Sequence, residues 1–176
     1  FSIQSISKPF AYAAALTDRG FDTVADTVGV EPSGEAFNEI SVDARRRPRN
    51  PMINAGAITA HSLVASPDDD ESARVRRIVA GLSAFAGREL MMDPDVYSQE
   101  HKEGDRNRAL GWMLSSVGII EEDPTQALED YFAQCSVMVD TRDLAIMGAT
   151  LANGGVQPST GERVCSPEVA RQVLAV

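Results

Sequence analysis

Apolar residues recur along this chain mostly at three- and four-residue intervals, the period of a helix. From Asp105 onward, Ala109, Leu110, Met113, Leu114 and Val117 predict one buried helical stripe. Leu144, Met147, Gly148 and Leu151 predict another, stopped by Asn153-Gly154-Gly155. Residues 8–18 are rich in alanine and end at Gly20, which suits the position just past a helix end. Residues 54–65 read as a helix of small residues packed closely on a neighbour. Asp68-Asp69-Asp70-Glu71 opens a helix to about Ala86, with its acids at the positive end of the dipole. Asp93-Pro94, Asp123-Pro124 and Ser166-Pro167 each set a capping side chain before a proline at the first helical position. Glu31-Pro32-Ser33-Gly34 is turn chemistry, and Arg45-Arg46-Arg47-Pro48-Arg49 reads as a solvated loop. Alternating strand patterns are few, so the expected fold class is mainly α.

A chain of 176 residues is long enough for one domain that buries roughly 70% of its unfolded surface. At 43% hydrophobic and 24% charged it is globular and not disordered. Aromatics are only 6%, so the core must be aliphatic and alanine-rich. A net charge of −10 argues against nucleic acid or an anionic membrane as partner. There is no apolar run near 18 residues, hence no expected transmembrane helix. The chain starts at Phe1, and Phe1-Ser2-Ile3-Gln4 has no signal-peptide pattern, so a piece of a longer polypeptide is expected. Cys135 and Cys165 belong to no C-x-x-C pair and form no zinc set with His61 and His101. Two reduced cysteines of a cytoplasmic protein, with no metal site, is the expectation.

Candidate chemistry starts at Ser5 and Lys8, an S-x-x-K three residues apart at a helix start. Hydroxyl and amine then share a face. A serine becomes a nucleophile beside a base, and lysine serves once burial or nearby positive charge lowers its ordinary pKa of about 10.4. Unpaired N–H groups at the helix start add positive potential, and one could hold an oxyanion. With fifteen serines in the chain the motif is weak alone, and a serine cap beside a surface lysine is the bland alternative. Ser7 is a third candidate for the cap, and Pro9 places the group in the first turn. Asn54, in Asn50-Pro51-Met52-Ile53-Asn54-Ala55-Gly56-Ala57-Ile58, is either a ligand-facing amide or a cap on a tightly packed helix. Glu100 and Asn107 lie in the polar run 98–107, which reads as a site or as a solvated loop, with Gly104 as a possible break. Tyr131, among apolar neighbours, has either one structural hydrogen bond or a proton-carrying role. His61 and His101 read as ordinary polar residues.

Taken in order, Phe1-Ser2-Ile3-Gln4-Ser5-Ile6-Ser7-Lys8, Glu31-Pro32-Ser33-Gly34, the Asn50–Ile58 string, Gly104-Asp105-Arg106-Asn107, Leu151-Ala152-Asn153-Gly154-Gly155 and Thr160-Gly161-Glu162-Arg163-Val164 resemble the serine-dependent glutaminases. The resemblance runs over essentially the whole chain. It implies the fold of serine β-lactamases and penicillin-binding proteins, of which this chain would be the mostly helical part. It implies hydrolysis of L-glutamine to L-glutamate and ammonia through a glutamyl-serine intermediate, with no cofactor, in a cytoplasmic homo-oligomer. By position, Ser5 is then the nucleophile and Lys8 its base. Asn54, Glu100, Asn107 and Tyr131 match substrate-binding positions. Glu100 suits the α-ammonium of free glutamine, and Asn54 and Asn107 can donate to its α-carboxylate. Tyr131 could pass a proton to the leaving ammonia.

Some family features are missing here. The family sets one site tyrosine upstream of the S-x-x-K, and another downstream together with a K-S-G strand that completes the oxyanion hole. The resemblance therefore implies an incomplete site that is inactive alone. A β-lactam-reacting acyl-serine protein is the competing enzyme. A helical binding module, with Ser5 a mere cap, is the non-enzymatic alternative.

Overall fold

The helical periodicity becomes nine α-helices among the described residues of the computed structural model, which are 1–39, 42–65, 70 and 72–176. They are α1 (Lys8–Arg19), α2 (Phe21–Thr27), α3 (Asn54–Ser62), α4 (Ala73–Ala86), α5 (Pro94–Glu103), α6 (Asp105–Ser116), α7 (Pro124–Cys135), α8 (Thr141–Ala152) and α9 (Pro167–Ala175). Among the described residues no strand forms, and only isolated bridges such as Ser2 with Met138 and Met92 with Val137 occur. No helix among them is long and apolar enough to cross a membrane.

The helix starts follow their capping chemistry. Asp93 accepts from the N–H groups of Asp95 and Val96, Asp123 from Thr125, and Ser166 from Val169, each just ahead of a proline. Gly20 ends α1 at a φ of 80°. Asp68, Asp69 and Glu71 lie outside the described residues. Helix α4 begins behind Ser72 with no acid in its first turn, and the exposed Asp70 pairs with Arg76 instead.

Two expected stripes are narrower than anticipated. On α6, Leu110 and Leu114 are buried but Ala109 is exposed; on α8, Met147 and Leu151 are buried but Gly148 is exposed. At about 100° per residue, Ala109 and Gly148 fall well off the arc that faces the core, and Gly111 and Thr150 take up that face. Helix α3 ends at Ser62, before the expected 65, and Ala65 has left the helix at a φ of 64°. The basic run is only partly solvated. Arg45 and Arg46 are exposed, but Pro48 is buried, because its carbonyl accepts from Gly29 N–H and that of Arg49 accepts from Glu31 N–H.

Two apolar clusters make the core. One joins α1, α4, α8 and α9 with Ile3, Val137 and Val139. The other joins α3, α6 and α7 through Ile58, Leu110, Leu114, Leu128 and Phe132. Helix α3 contributes to both, and every residue from Ala55 to His61 is buried. Its small residues permit this, since a Cβ on Gly56 would collide with the carbonyl oxygen of Asn50.

Candidate active site

An extended segment delivers the chain to its chemistry. Ile3 N–H donates to Val137 O (2.8 Å) and Val139 N–H to Phe1 O (2.9 Å), which lays residues 1–3 antiparallel to 137–139. Gln4 then turns sharply, with a φ of +50° that costs a side-chain-bearing residue about 1–2 kcal/mol. The turn Gln4–Ser7 is a 3-10 helix, and α1 begins only at Lys8. Ser5 and Lys8 therefore do not share the first turn of one α-helix, as their spacing suggests. The tighter turn serves the same end, because residues three apart eclipse in a 3-10 helix. Ser7 directly precedes α1 but does not cap it with its side chain.

Ser5 is exposed, whereas Lys8 is 5% exposed. The bland alternative of a surface lysine is thereby excluded. Lys8 Nζ donates to Met52 O (3.0 Å) and Asn54 Oδ1 (2.7 Å), and it lies over the Phe37 ring at 5.7 Å. Neither oxygen carries a full charge. Burial therefore dominates and lowers the lysine pKa from its ordinary value. A neutral amine has two N–H groups, which these acceptors can occupy, and one lone pair free to take a proton. Ser5, Lys8, Ile6, Pro9, Phe37 and Met52 line one open cleft of about 420 Å³. Two larger clefts, of about 610 and 600 Å³, lie away from these residues and carry none of this chemistry.

The amides continue from the base. Asn54 opens α3, and its Nδ2 donates to Asn107 Oδ1 (3.0 Å). Asn107 reaches it because positions 107, 110 and 114 share the inward face of α6. The run 98–107 is no loop. It is the end of α5, a break at Gly104, and the start of α6. Gly104 fits there because a Cβ would strike the Phe132 ring. Glu100, half-buried on α5, accepts from Gln4 Nε2 at 2.9 Å. Among the described contacts its second carboxylate oxygen is unpaired.

Tyr131 on α7 is wholly buried, edge-on to His61 at 5.9 Å between ring centroids. Cys135, one helical turn on, is the group that couples to its hydroxyl, and no described contact joins Tyr131 to Ser5. Burial raises its pKa well above the ordinary value, assisted by Cys135 and the nearby Glu100 charge, so the phenol keeps its proton. Burial likewise pushes the Cys135 thiol up to about 12, so it is no nucleophile at neutral pH. His61 is an inward polar residue, held neutral by burial and the Arg74 charge, with its pKa depressed to about 3.

The structure thus places Ser5 and Lys8 on one cleft and links Lys8 to Asn54 and Asn107. Glu100 is joined to Gln4, which precedes Ser5, and no described contact joins Tyr131 to this group. Sequence reasoning missed Gln4, Phe37, the Met52 carbonyl and Cys135. Adjacency to Ser5 was a usable signal for Gln4. Cys135 stands one helical turn after Tyr131, which was a signal too. Nothing local marks Phe37, whose contact with Lys8 is purely tertiary.

A family model described as Glutaminase matches residues 1–176. A glutaminase of Corynebacterium efficiens is 51% identical over 176 residues, spanning 99% of this chain and 42% of that protein. A glutaminase of Trichormus variabilis is 45% identical over 177 residues, spanning 100% of this chain and 52% of that protein. The crystal structure of Mglu in its glutamate form superposes with a TM-score of 0.94 at 49% identity, covering 99% of this chain and 40% of that one. The crystal structure of a probable glutaminase of Bacillus subtilis gives 0.92 at 34% identity, covering 98% and 56%. The chain spans about half, or less, of the length of these curated relatives.

Proposed function

The chain belongs to the glutaminase family, and from that membership we propose that the full-length enzyme carrying it hydrolyses L-glutamine to L-glutamate and ammonia through an acyl-serine intermediate on Ser5. The observation that carries the mechanism is the buried Lys8, whose hydrogen bonds among the described residues go to two uncharged oxygens and which faces the same cleft as Ser5. Lys8 takes the hydroxyl proton as Ser5 Oγ attacks the side-chain amide carbon. The C–N bond breaks, ammonia leaves with a returned proton, and a glutamyl ester remains. Water then cleaves that ester by the same proton path in reverse. Tyr131, fixed in its protonated form, is the proposed proton carrier to the leaving ammonia. Asn54 and Asn107 are the proposed partners of the α-carboxylate, and Glu100 of the α-ammonium.

In this reading residues 1–176 are the mostly helical part of a β-lactamase-like α/β catalytic domain. The sheet strands, two site tyrosines and the K-S-G oxyanion strand come from other segments of the enzyme. The chemistry needs no cofactor. A homo-oligomeric, cytoplasmic enzyme follows from the family resemblance, and two free buried cysteines are compatible with a reducing compartment.

The test is covalent capture on the full-length enzyme. An electrophilic glutamine analogue should label Ser5, identified by peptide mass spectrometry. A penicillin adduct at Ser5 without the glutamine label would favour the β-lactam-reacting protein, and no adduct from either would favour the binding module.

Glu100 offers a separate check on what marks the substrate as a free amino acid. Removing one member of a desolvated charge pair leaves the other unpaired, which is costly. Glu100→Gln is expected to lower kcat/KM for glutamine at least about tenfold, or roughly 1.4 kcal/mol. An analogue lacking the α-amino group should lose much less. Equal losses for both substrates would make Glu100 structural.

A further inference from the structure

We propose that the buried chain His61–Gln134–Ser7 is a positioning device that holds the Gln4–Ser5 peptide plane and so aims the Ser5 hydroxyl. The inference rests on the acyl-serine reading and adds to it three residues with no place in that mechanism. Ser7, Gln134 and His61 are all fully buried or nearly so, from 0 to 1% exposed. Their hydrogen bonds form one continuous line. Ser7 Oγ donates to Gln4 O at 2.6 Å, and Gln134 Nε2 donates to Ser7 Oγ at 2.8 Å. Gln134 Oε1 then faces His61 Nδ1 at 2.7 Å. Because the amide nitrogen is committed to Ser7, the amide oxygen must accept, and Nδ1 carries the histidine proton. The directions are therefore fixed from end to end.

The end point is what gives the line its function. The Gln4 carbonyl lies in the rigid peptide plane that joins Gln4 to Ser5, so fixing that oxygen fixes the orientation from which the Ser5 side chain departs. Gln4 also sits at a φ of +50°, a conformation that relaxes unless its surroundings hold it. Its side chain is tethered as well, to Ser2 Oγ (3.2 Å) and Glu100 Oε1 (2.9 Å). A strained residue clamped at its carbonyl and at its amide, directly before the nucleophile, is a device for orientation. Gln134 and His61 come from α7 and α3, so the clamp reaches across from helices of the second core cluster to the turn that precedes α1.

The experiment compares Ser7→Ala and Gln134→Met with Thr150→Val in the full-length enzyme. Thr150 is a buried hydroxyl on α8, bonded to Phe85 O and Ile146 O and absent from the site, so it reports the general effect of losing a buried hydroxyl. The two clamp variants are expected to lose at least about twentyfold in kcat with KM changed less than about threefold, since small misplacements of a reacting atom are costly in rate. Covalent labelling of Ser5 should slow in parallel, while helical circular dichroism stays native. Thr150→Val should keep kcat within about twofold. Folded Ser7→Ala and Gln134→Met enzymes with normal kcat would overturn the proposal. So would losses matching those of Thr150→Val, or failure of both clamp variants to fold, which would assign the chain to stability alone. An active Ser5→Ala enzyme would instead remove the acyl-serine reading itself, whatever the clamp variants do.

Discussion

Ser5→Ala in the full-length enzyme is expected to lower glutamine turnover by at least about 10³-fold while leaving the fold unchanged. Loss of a sole nucleophile has that scale because no other group can form the intermediate. Two nearby nucleophilic candidates, neither of which lines the cleft, are disqualified by their surroundings. Cys135 is buried with its thiol protonated, and Ser7 is buried with its hydroxyl bonded at both ends. The fold should tolerate the change because Ser5 is exposed and caps no helix. A shift in unfolding free energy within about 0.5 kcal/mol is expected, as for surface substitutions generally. Steady-state kinetics and a urea midpoint measured on one preparation decide the matter. Near-normal turnover from a variant lacking the hydroxyl would end the assignment.

Lys8 carries the second large effect. Its burial lowers its pKa, so its neutral form becomes populated below the range of free lysine. The base form is the unprotonated one. Activity should therefore rise with pH through an apparent pKa below about 10.4 and level off above it. Stability follows the same sign. Between the folded and unfolded pKa values the unfolded chain binds more protons at this site, so Lys8's contribution grows more favourable as pH rises. Lys8→Arg should retain less than about 1% of kcat, since guanidinium does not deprotonate in a protein and its planar fork does not fit two acceptors arranged for an amine. A flat activity profile from neutral to alkaline pH, together with an active arginine variant, would show that another group is the base.

Much of the helical framework was legible because its signals are local. Asp93, Asp123 and Ser166, each before a proline, are capping chemistry that needs no tertiary information, and all three caps form. Stripe width was less legible. Ala109 and Gly148 are small, so nothing in their composition opposes burial, and only the packing direction of α6 and α8 reveals them as outward. The polar run 98–107 was open between a site and a solvated loop, because charge density hides periodicity. Gly104 divides it into two helices, and the Phe132 ring that requires a glycine there lies 28 residues downstream. The site was legible as separate residues and not as a network. Lys8, Asn54 and Asn107 are linked across 46 and 53 positions of chain, and no spacing rule reaches that far.

The two apolar clusters divide the proposed site residues between them. Ser5 and Lys8 travel with α1 in the first, whereas Asn107 and Tyr131 travel with α6 and α7 in the second. In the proposed mechanism reactivity then depends on the registry of the two clusters, which α3 joins. Heat, pressure or mild chaotrope that loosens this registry is expected to lower turnover before most helices melt. Loss of turnover is then an early warning that precedes melting, and residual ellipticity is a poor measure of how much working catalyst a stored sample still contains.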